Sequence, residues 1–235
     1  MNEYLNRANF KLIFLNFFLT IFFLWLFQIS NIDIKFQNLF FDQQSKSWII
    51  DRNEPIKKFF FYQFPKIILA ILIISSLLLF ILNKNKHQSR FYKYRHQLLL
   101  IFIGLSLIPL IVGNIKKFTN IYCPNQLAIF NGDKPYVKIF DHYPKDFIQI
   151  KKAQCFPAGH AVTGFALYIL IFVVNQLSWK IFYFSIATFS GWILGFYQIL
   201  KGAHFISDTL ITMLLSLLLA QIISYFYRNL AKKIP

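Results

Sequence analysis

Six long apolar runs, nearly free of charge, alternate along this chain with polar stretches. They cover residues 12–29, 67–82, 98–112, 158–174, 181–200 and 205–226. Crossing the hydrocarbon layer takes about 20 apolar residues as a helix. The pattern therefore predicts an all-α polytopic membrane protein. Six transmembrane helices would form a helical bundle core with two outer-face loops, in a single membrane-embedded domain over 1–235. The first run follows Arg7 and Lys11, and Gln28-Ile29-Ser30-Asn31-Ile32 offers no small-x-small cleavage site. It reads as a retained span rather than a secretory signal. In the loop from Ser30 to Pro65, the aromatics Phe40, Phe41, Trp48 and Phe59 to Tyr62 read as interfacial anchors, on short amphipathic helices.

Charge sets the orientation. The short loop 83–96 holds five cations, Lys84, Lys86, Arg90, Lys93 and Arg95, and no acid. The positive-inside rule puts that loop and both termini in the cytoplasm. Lys116, Cys123, Cys155, His160, Lys201 and His204 then all lie on the outer face. Composition agrees with a membrane protein: of 235 residues 57% are hydrophobic, 30 are Phe and only 14% are charged. The net charge of +16 is spread between the spans rather than gathered in one stripe, which argues for anionic headgroups and against nucleic acid. The bias to Lys, Ile, Asn and Phe points to an AT-rich, bacterial genome and so to the inner membrane.

Two stretches carry candidate chemistry. In Cys155-Phe156-Pro157-Ala158-Gly159-His160, small residues let the backbone approach an anion, a helix is about to begin, and His160 can exchange a proton near neutral pH. The plain alternative is a loop-to-helix junction with a histidine near the headgroups. In Lys201-Gly202-Ala203-His204-Phe205-Ile206-Ser207-Asp208, His204 and Asp208 are four apart and share a helix face. A carboxylate on one imidazole nitrogen frees the other to attack or to take a proton. The plain alternative is a pair that only satisfies itself at the interface.

Together these stretches resemble the type 2 phosphatidic acid phosphatase superfamily of membrane lipid phosphatases. Its signatures are Lys-x6-Arg-Pro, Pro-Ser-Gly-His and Arg-x5-His-x3-Asp. Here they stand as Lys116 with Cys123-Pro124, as Pro157-Ala158-Gly159-His160, and as Gln198 with His204 and Asp208, so that 116–208 is the catalytic region. Cys123, Ala158 and Gln198 replace the usual Arg, Ser and Arg, which marks a divergent subgroup with Cys-Pro and Cys-Phe-Pro-Ala-Gly-His motifs. Two of the usual phosphate-binding cations are therefore absent. Lys201 is the first candidate to replace the missing arginine, with Lys117, Lys151 and Lys152 behind it.

The resemblance implies that His204 is the nucleophile, that Asp208 orients it, and that His160 protonates the leaving lipid oxygen and then activates water. Lys116, Lys201, Gln198 and the backbone around Ala158 and Gly159 would hold the phosphate. It further implies hydrolysis of a lipid phosphate monoester or diphosphate through a phosphohistidine at the periplasmic face, with no metal and no cofactor. The expected partner is the membrane lipid itself, with no nucleic acid and no obligate protein partner. Two rivals stand beside it: a lipid-to-lipid phosphotransferase of the same family, and a non-catalytic lipid-binding or transport protein. Cys123 and Cys155 both flank motif prolines on the outer face, so a disulfide closing about thirty residues would pin the first signature beside the second. Two separate buried thiols is the other reading. His142 reads as a turn residue or as part of the substrate's way in, and His87 and His96 as headgroup-facing.

Overall fold

The protein is described from a computed structural model covering residues 10–52, 54–83 and 92–231. Lys84, Lys86 and Arg90 of the basic loop, with Arg7, His87, Lys232 and Lys233, lie outside the described residues.

Helix α1 (Phe10–Ile29) leads through α2 (Ile32–Gln37) into a small hairpin, β1 (Phe41–Asp42) paired antiparallel with β2 (Ser47–Trp48). Then α3 (Pro55–Lys58) runs through a π-helical turn, Phe59–Gln63, into α4 (Phe64–Asn83). Helix α5 (Arg95–Thr119) is followed by an irregular loop and by α6 (Val162–Phe165), which continues as 3-10 helix over Ala166–Val173. Helices α7 (Leu177–Leu200) and α8 (Ile206–Ala231) complete the fold.

Among the described residues, four stretches are long and apolar enough to cross a membrane: Phe10–Ile29, Pro55–Asn83, Tyr92–Gln126 and Ile206–Ala231. The chain is a membrane protein, mostly helical, and the expected count of six spans goes beyond these four. Helix α7 has 24 residues but interleaves its apolar positions with Ser, Thr, Trp and Tyr. The expected span 158–174 starts later, at Val162, and turns to 3-10 geometry after four residues, in a run of eight that is long for that form. Large apolar side chains point outward on α1 (Phe18, Trp25), α4 (Ile71, Leu82) and α7 (Ile181, Phe189), as a lipid-facing surface requires.

Two departures from the expected layout bear on the site. The hairpin is not helical, because Lys46 takes a left-handed turn (φ 51°) that reverses the chain. Helix α5 also runs past the expected loop boundary at Gly113, so Lys116 stands on a helix rather than in the loop. It ends at Asn120, left-handed at φ 55°, whose side chain then ties the following loop together. Asn120 Oδ1 accepts from the Ala153 N–H (2.9 Å) and from Gln149 Nε2 (2.9 Å).

The core lies where α5, α6, its 3-10 continuation and α8 meet, around Leu105, Ile108, Phe165, Tyr168 and Ile169. Where α6 crosses α7, a Cβ on Gly164 would strike the Gly191 backbone, so small residues set the close approach. Asn16 on α1 donates to the Leu214 carbonyl and to Gln221 Oε1 of α8, both at 3.2 Å, a polar link inside an apolar layer.

Candidate active site

The end of α7 and the start of α8 build the centre of the site. Gly202 is left-handed (φ 68°), which only glycine adopts freely. Its N–H bonds the Ile199 carbonyl (3.0 Å) and the Ala203 N–H bonds the Gln198 carbonyl (2.8 Å), closing α7 with a Schellman motif. His204 follows directly, 1% exposed. Asp208, in the first turn of α8, accepts from the Phe205 N–H (3.1 Å) and from His204 Nδ1 (2.9 Å). One carboxylate thus caps its own helix and fixes the imidazole tautomer, leaving Nε2 as the free nitrogen.

His204 Nε2 lies 3.4 Å from Nδ1 of His160. The second motif reaches this place on the backbone of α8: the Ala158 N–H donates to Thr212 Oγ1 (2.8 Å), and Thr212 donates to the Asp208 carbonyl (2.6 Å). Ala158 is fully buried and its N–H is already used, so it locks the loop in place rather than facing a ligand. Gly159 faces Lys116, whose Nζ would lie 3.6 Å from a Cβ at that position. Burial, then the neighbouring His204 ring and the lysine charges, hold His160 well below the usual imidazole range, and burial does the same to His204. Both rings are neutral in the unliganded site.

Cys123 and Cys155 form a disulfide across 32 residues, with Cα atoms 5.1 Å apart. It joins the segment after α5 to the loop before α6. The Cys155 sulfur packs 3.4 Å from His204 Nδ1. Cys155, His204 and Asp208 form a cluster of metal-ligand type with donor atoms within 4.8 Å. The sulfur is no thiolate, however, and Asp208 Oδ2 is engaged with His204, so the set orients the imidazole instead.

A cavity of about 1050 Å3 opens over the two histidines. Lys116, Gln198 and Lys201 line it, as expected from the motifs, whereas Lys117, Lys151, Lys152 and His142 do not. Gln198 is 1% exposed, and among the described residues neither its Nε2 nor its Oε1 has a partner. Lys201 Nζ sits 4.6 Å over the Tyr197 ring, and its pKa falls to about 8 through burial and the nearby Arg52 and Lys58 charges.

The loop between α1 and α4 contributes what the sequence motifs did not indicate. Trp48, Arg52, Lys58 and Tyr62 also line the cavity. Phe61 and Tyr62, expected as interfacial anchors, instead turn inward on the π-helical turn. Phe61 stacks on Tyr197 (4.6 Å) and Tyr62 covers His160 (4.7 Å). Asp33 of α2 lies behind Asp208, 9% exposed, and accepts from the Ser207 N–H (3.0 Å) and hydroxyl (2.6 Å). Loop residues without periodicity carry no sequence signal for such placements.

Among known proteins, the family model described as PAP2 superfamily matches residues 96–232. The fold is also similar to the crystal structure of a transmembrane PAP2-type phosphatidylglycerolphosphate phosphatase from Bacillus subtilis. That likeness has a TM-score of 0.53 and 15% identity, covers 95% of this chain and 97% of that one, and concerns the fold alone. None of the curated proteins compared matches this chain.

Proposed function

The chain belongs to the PAP2 superfamily, and from that premise we propose that it is a lipid phosphatase working through a phosphohistidine. The observation that carries this reading is the relay Asp208–His204–His160, at 2.9 and 3.4 Å, on the floor of a cation-lined cavity. A phosphoryl group entering between the rings meets His204 Nε2 on one side. The Nε2 lone pair forms the N–P bond as the bond from phosphorus to the lipid oxygen breaks, and that oxygen takes a proton from His160. Water then attacks phosphorus, giving its proton to His160. The N–P electron pair returns to His204, and inorganic phosphate leaves. Asp208 stabilises the charge on His204 throughout.

Lys116, Lys201 and the Gln198 amide are placed to meet the equatorial oxygens, where charge builds up. Fixed cations of this kind supply the role a metal would play, and we read the reaction as metal-independent. With α7 and the Val162–Val173 segment counted as crossings, six spans put both termini in the cytoplasm and the site at the periplasmic face of a bacterial inner membrane. The lipid tail then stays in the bilayer, and the substrate is the only partner required.

Phosphate release from a panel of lipid phosphates by the purified protein tests the reading. His204→Ala should abolish release and His160→Ala should cut it by about a hundredfold or more. Undiminished release from His204→Ala would refute the mechanism.

A further inference from the structure

The cavity is too large for one phosphate. At about 1050 Å3 it matches the upper end of the ~300–1000 Å3 that pockets for drug-sized ligands occupy. Its polar lining is graded in depth. His204 and Gln198, both 1% exposed, form the floor with the half-buried His160 and Lys116. Lys201 is half-buried higher up, and Arg52 and Lys58 are exposed at the mouth.

Both levels lack the partners that such groups normally have. At the floor, the Gln198 amide is buried with donor and acceptor ends unpaired, a costly state unless a ligand satisfies it. At the mouth, among the described residues, none of Arg52, Lys58 and Lys201 is in an ion pair. Two acids also line the cavity wall: Asp133 is bonded to Lys134 (2.7 Å), and Asp51 precedes Arg52 in the chain, which leaves the rim with a net positive charge. Three like charges at one rim repel one another, and the charges of Arg52 and Lys58 are felt at Lys201. Such a rim is stabilised by an anion seated among its members. Arg52 adds a planar fork suited to two phosphate oxygens.

We propose that the cavity holds two anion subsites and that the preferred lipid carries two adjacent phosphates. The floor subsite, Lys116 and Gln198 with the two histidines, takes the phosphoryl group that is transferred. The mouth subsite, Arg52 and Lys58, takes the second phosphate of the same head group, and Lys201, which also meets the transferred group, bridges the two levels. Arg52 and Lys58 come from the loop between β2 and α4, outside the stretch 96–232 that the family shares. Specificity is then supplied by a segment separate from the catalytic motifs. This inference rests on the phosphatase reading for the identity of the floor subsite.

The test uses the full chain in detergent with inorganic phosphate and methylenediphosphonate as probes, whose binding does not need turnover. Wild type should bind the diphosphonate at least about tenfold more tightly than phosphate, by about 1.4 kcal/mol. R52Q/K58Q should lose most of that preference, and R52K/K58R should keep it. Equal affinity for the two probes in wild type, or a full preference in R52Q/K58Q, overturns the proposal. In turnover, R52Q/K58Q should lose about tenfold more kcat/KM on a lipid diphosphate than on the monophosphate of the same lipid. Equal losses on both also overturn it. If wild type releases no phosphate while the diphosphonate preference is present and charge-dependent, the subsite stands and the phosphatase reading falls.

Discussion

Asp33 and Ser207, 174 residues apart in sequence, are joined by two hydrogen bonds: the carboxylate accepts from the Ser207 N–H at 3.0 Å and from its hydroxyl at 2.6 Å. Ser207 is in the first turn of α8, beside Asp208. A carboxylate on α2 thus satisfies the start of the helix that carries Asp208, a position where a buried negative charge is favoured by the helix dipole. The N-terminal part of the chain, outside the family-matched stretch, fixes where Asp208 stands and through it the aim of His204.

Asp33→Ala should therefore destabilise the protein by about 1–3 kcal/mol, by orphaning two buried Ser207 groups. It should lower kcat more than it raises KM, because the relay is misaligned while the cavity cations remain. Asp33→Asn should be milder and should differ in its pH dependence. Burial is the main cause that lifts Asp33 to about 7, the Asp208 charge adds to it, and the Ser207 bonds and Lys138 oppose it. A carboxyl with a raised folded pKa contributes stability while it is protonated, and that contribution is lost between the unfolded value near 4 and about 7. The Tm of Asp33→Asn relative to wild type should thus rise from pH 5 to pH 7.5. A constant difference would show that Asp33 does not titrate in this range.

The Cys123–Cys155 bond closes 32 residues, which by chain entropy is worth about 3–4 kcal/mol. Because Cys155 packs against His204, its loss should reach the chemistry as well as the stability. Cys123→Ser/Cys155→Ser should unfold at lower temperature, and reductant should lower the Tm of wild type but not that of the variant. Insensitivity of wild type to reductant, with both thiols free on mass spectrometry, would remove the disulfide from this picture.

What could be read in the sequence follows from what repeats or has fixed spacing. Long apolar runs placed the helices, and motif spacing singled out Lys116, His160, His204 and Asp208, which the fold brings together. Helix ends were harder: α5 runs on through Lys116 and Lys117 because charged residues are good helix formers, so polarity alone misplaced the boundary at Gly113. The roles of Asp33, Arg52 and Tyr62 were not legible at all. Each depends on where an aperiodic loop folds back, and the aromatic run 59–62 fits equally well at a lipid interface or over His160. Gln198 shows the limit in another way, since its position was known from the motif while its lack of partners exists only in three dimensions.

Gly202 joins the placement of His204 to the loop between α1 and α4. A Cβ there would collide with the Trp48 ring and would force a side chain into the left-handed region, at about 1–2 kcal/mol. Gly202→Ala should cut phosphate release severalfold or more, through displacement of His204, and Trp48→Ala in the same chain should restore part of it. No recovery in the double variant would mean that backbone strain alone, and not the contact with Trp48, sets the cost.

The rate should also report where the proton comes from. His160 is kept neutral in the unliganded site by burial first, then by the neighbouring His204 ring and the charges of Lys116, Lys66 and Lys201. It cannot bring a proton of its own to the leaving oxygen at neutral pH. A phosphate monoester with its second pKa near 6 can carry that proton in as the monoanion and pass it to His160 on binding. On this account kcat/KM for a lipid monophosphate is level below about pH 6 and falls about tenfold per unit above it. The fall steepens beyond about 8, where Lys201 loses its charge. The profile of kcat/KM from pH 5 to pH 9 checks this sign directly. A rate that stays level up to pH 8 would mean that His160 is already protonated in the free enzyme, or that proton donation does not limit the step.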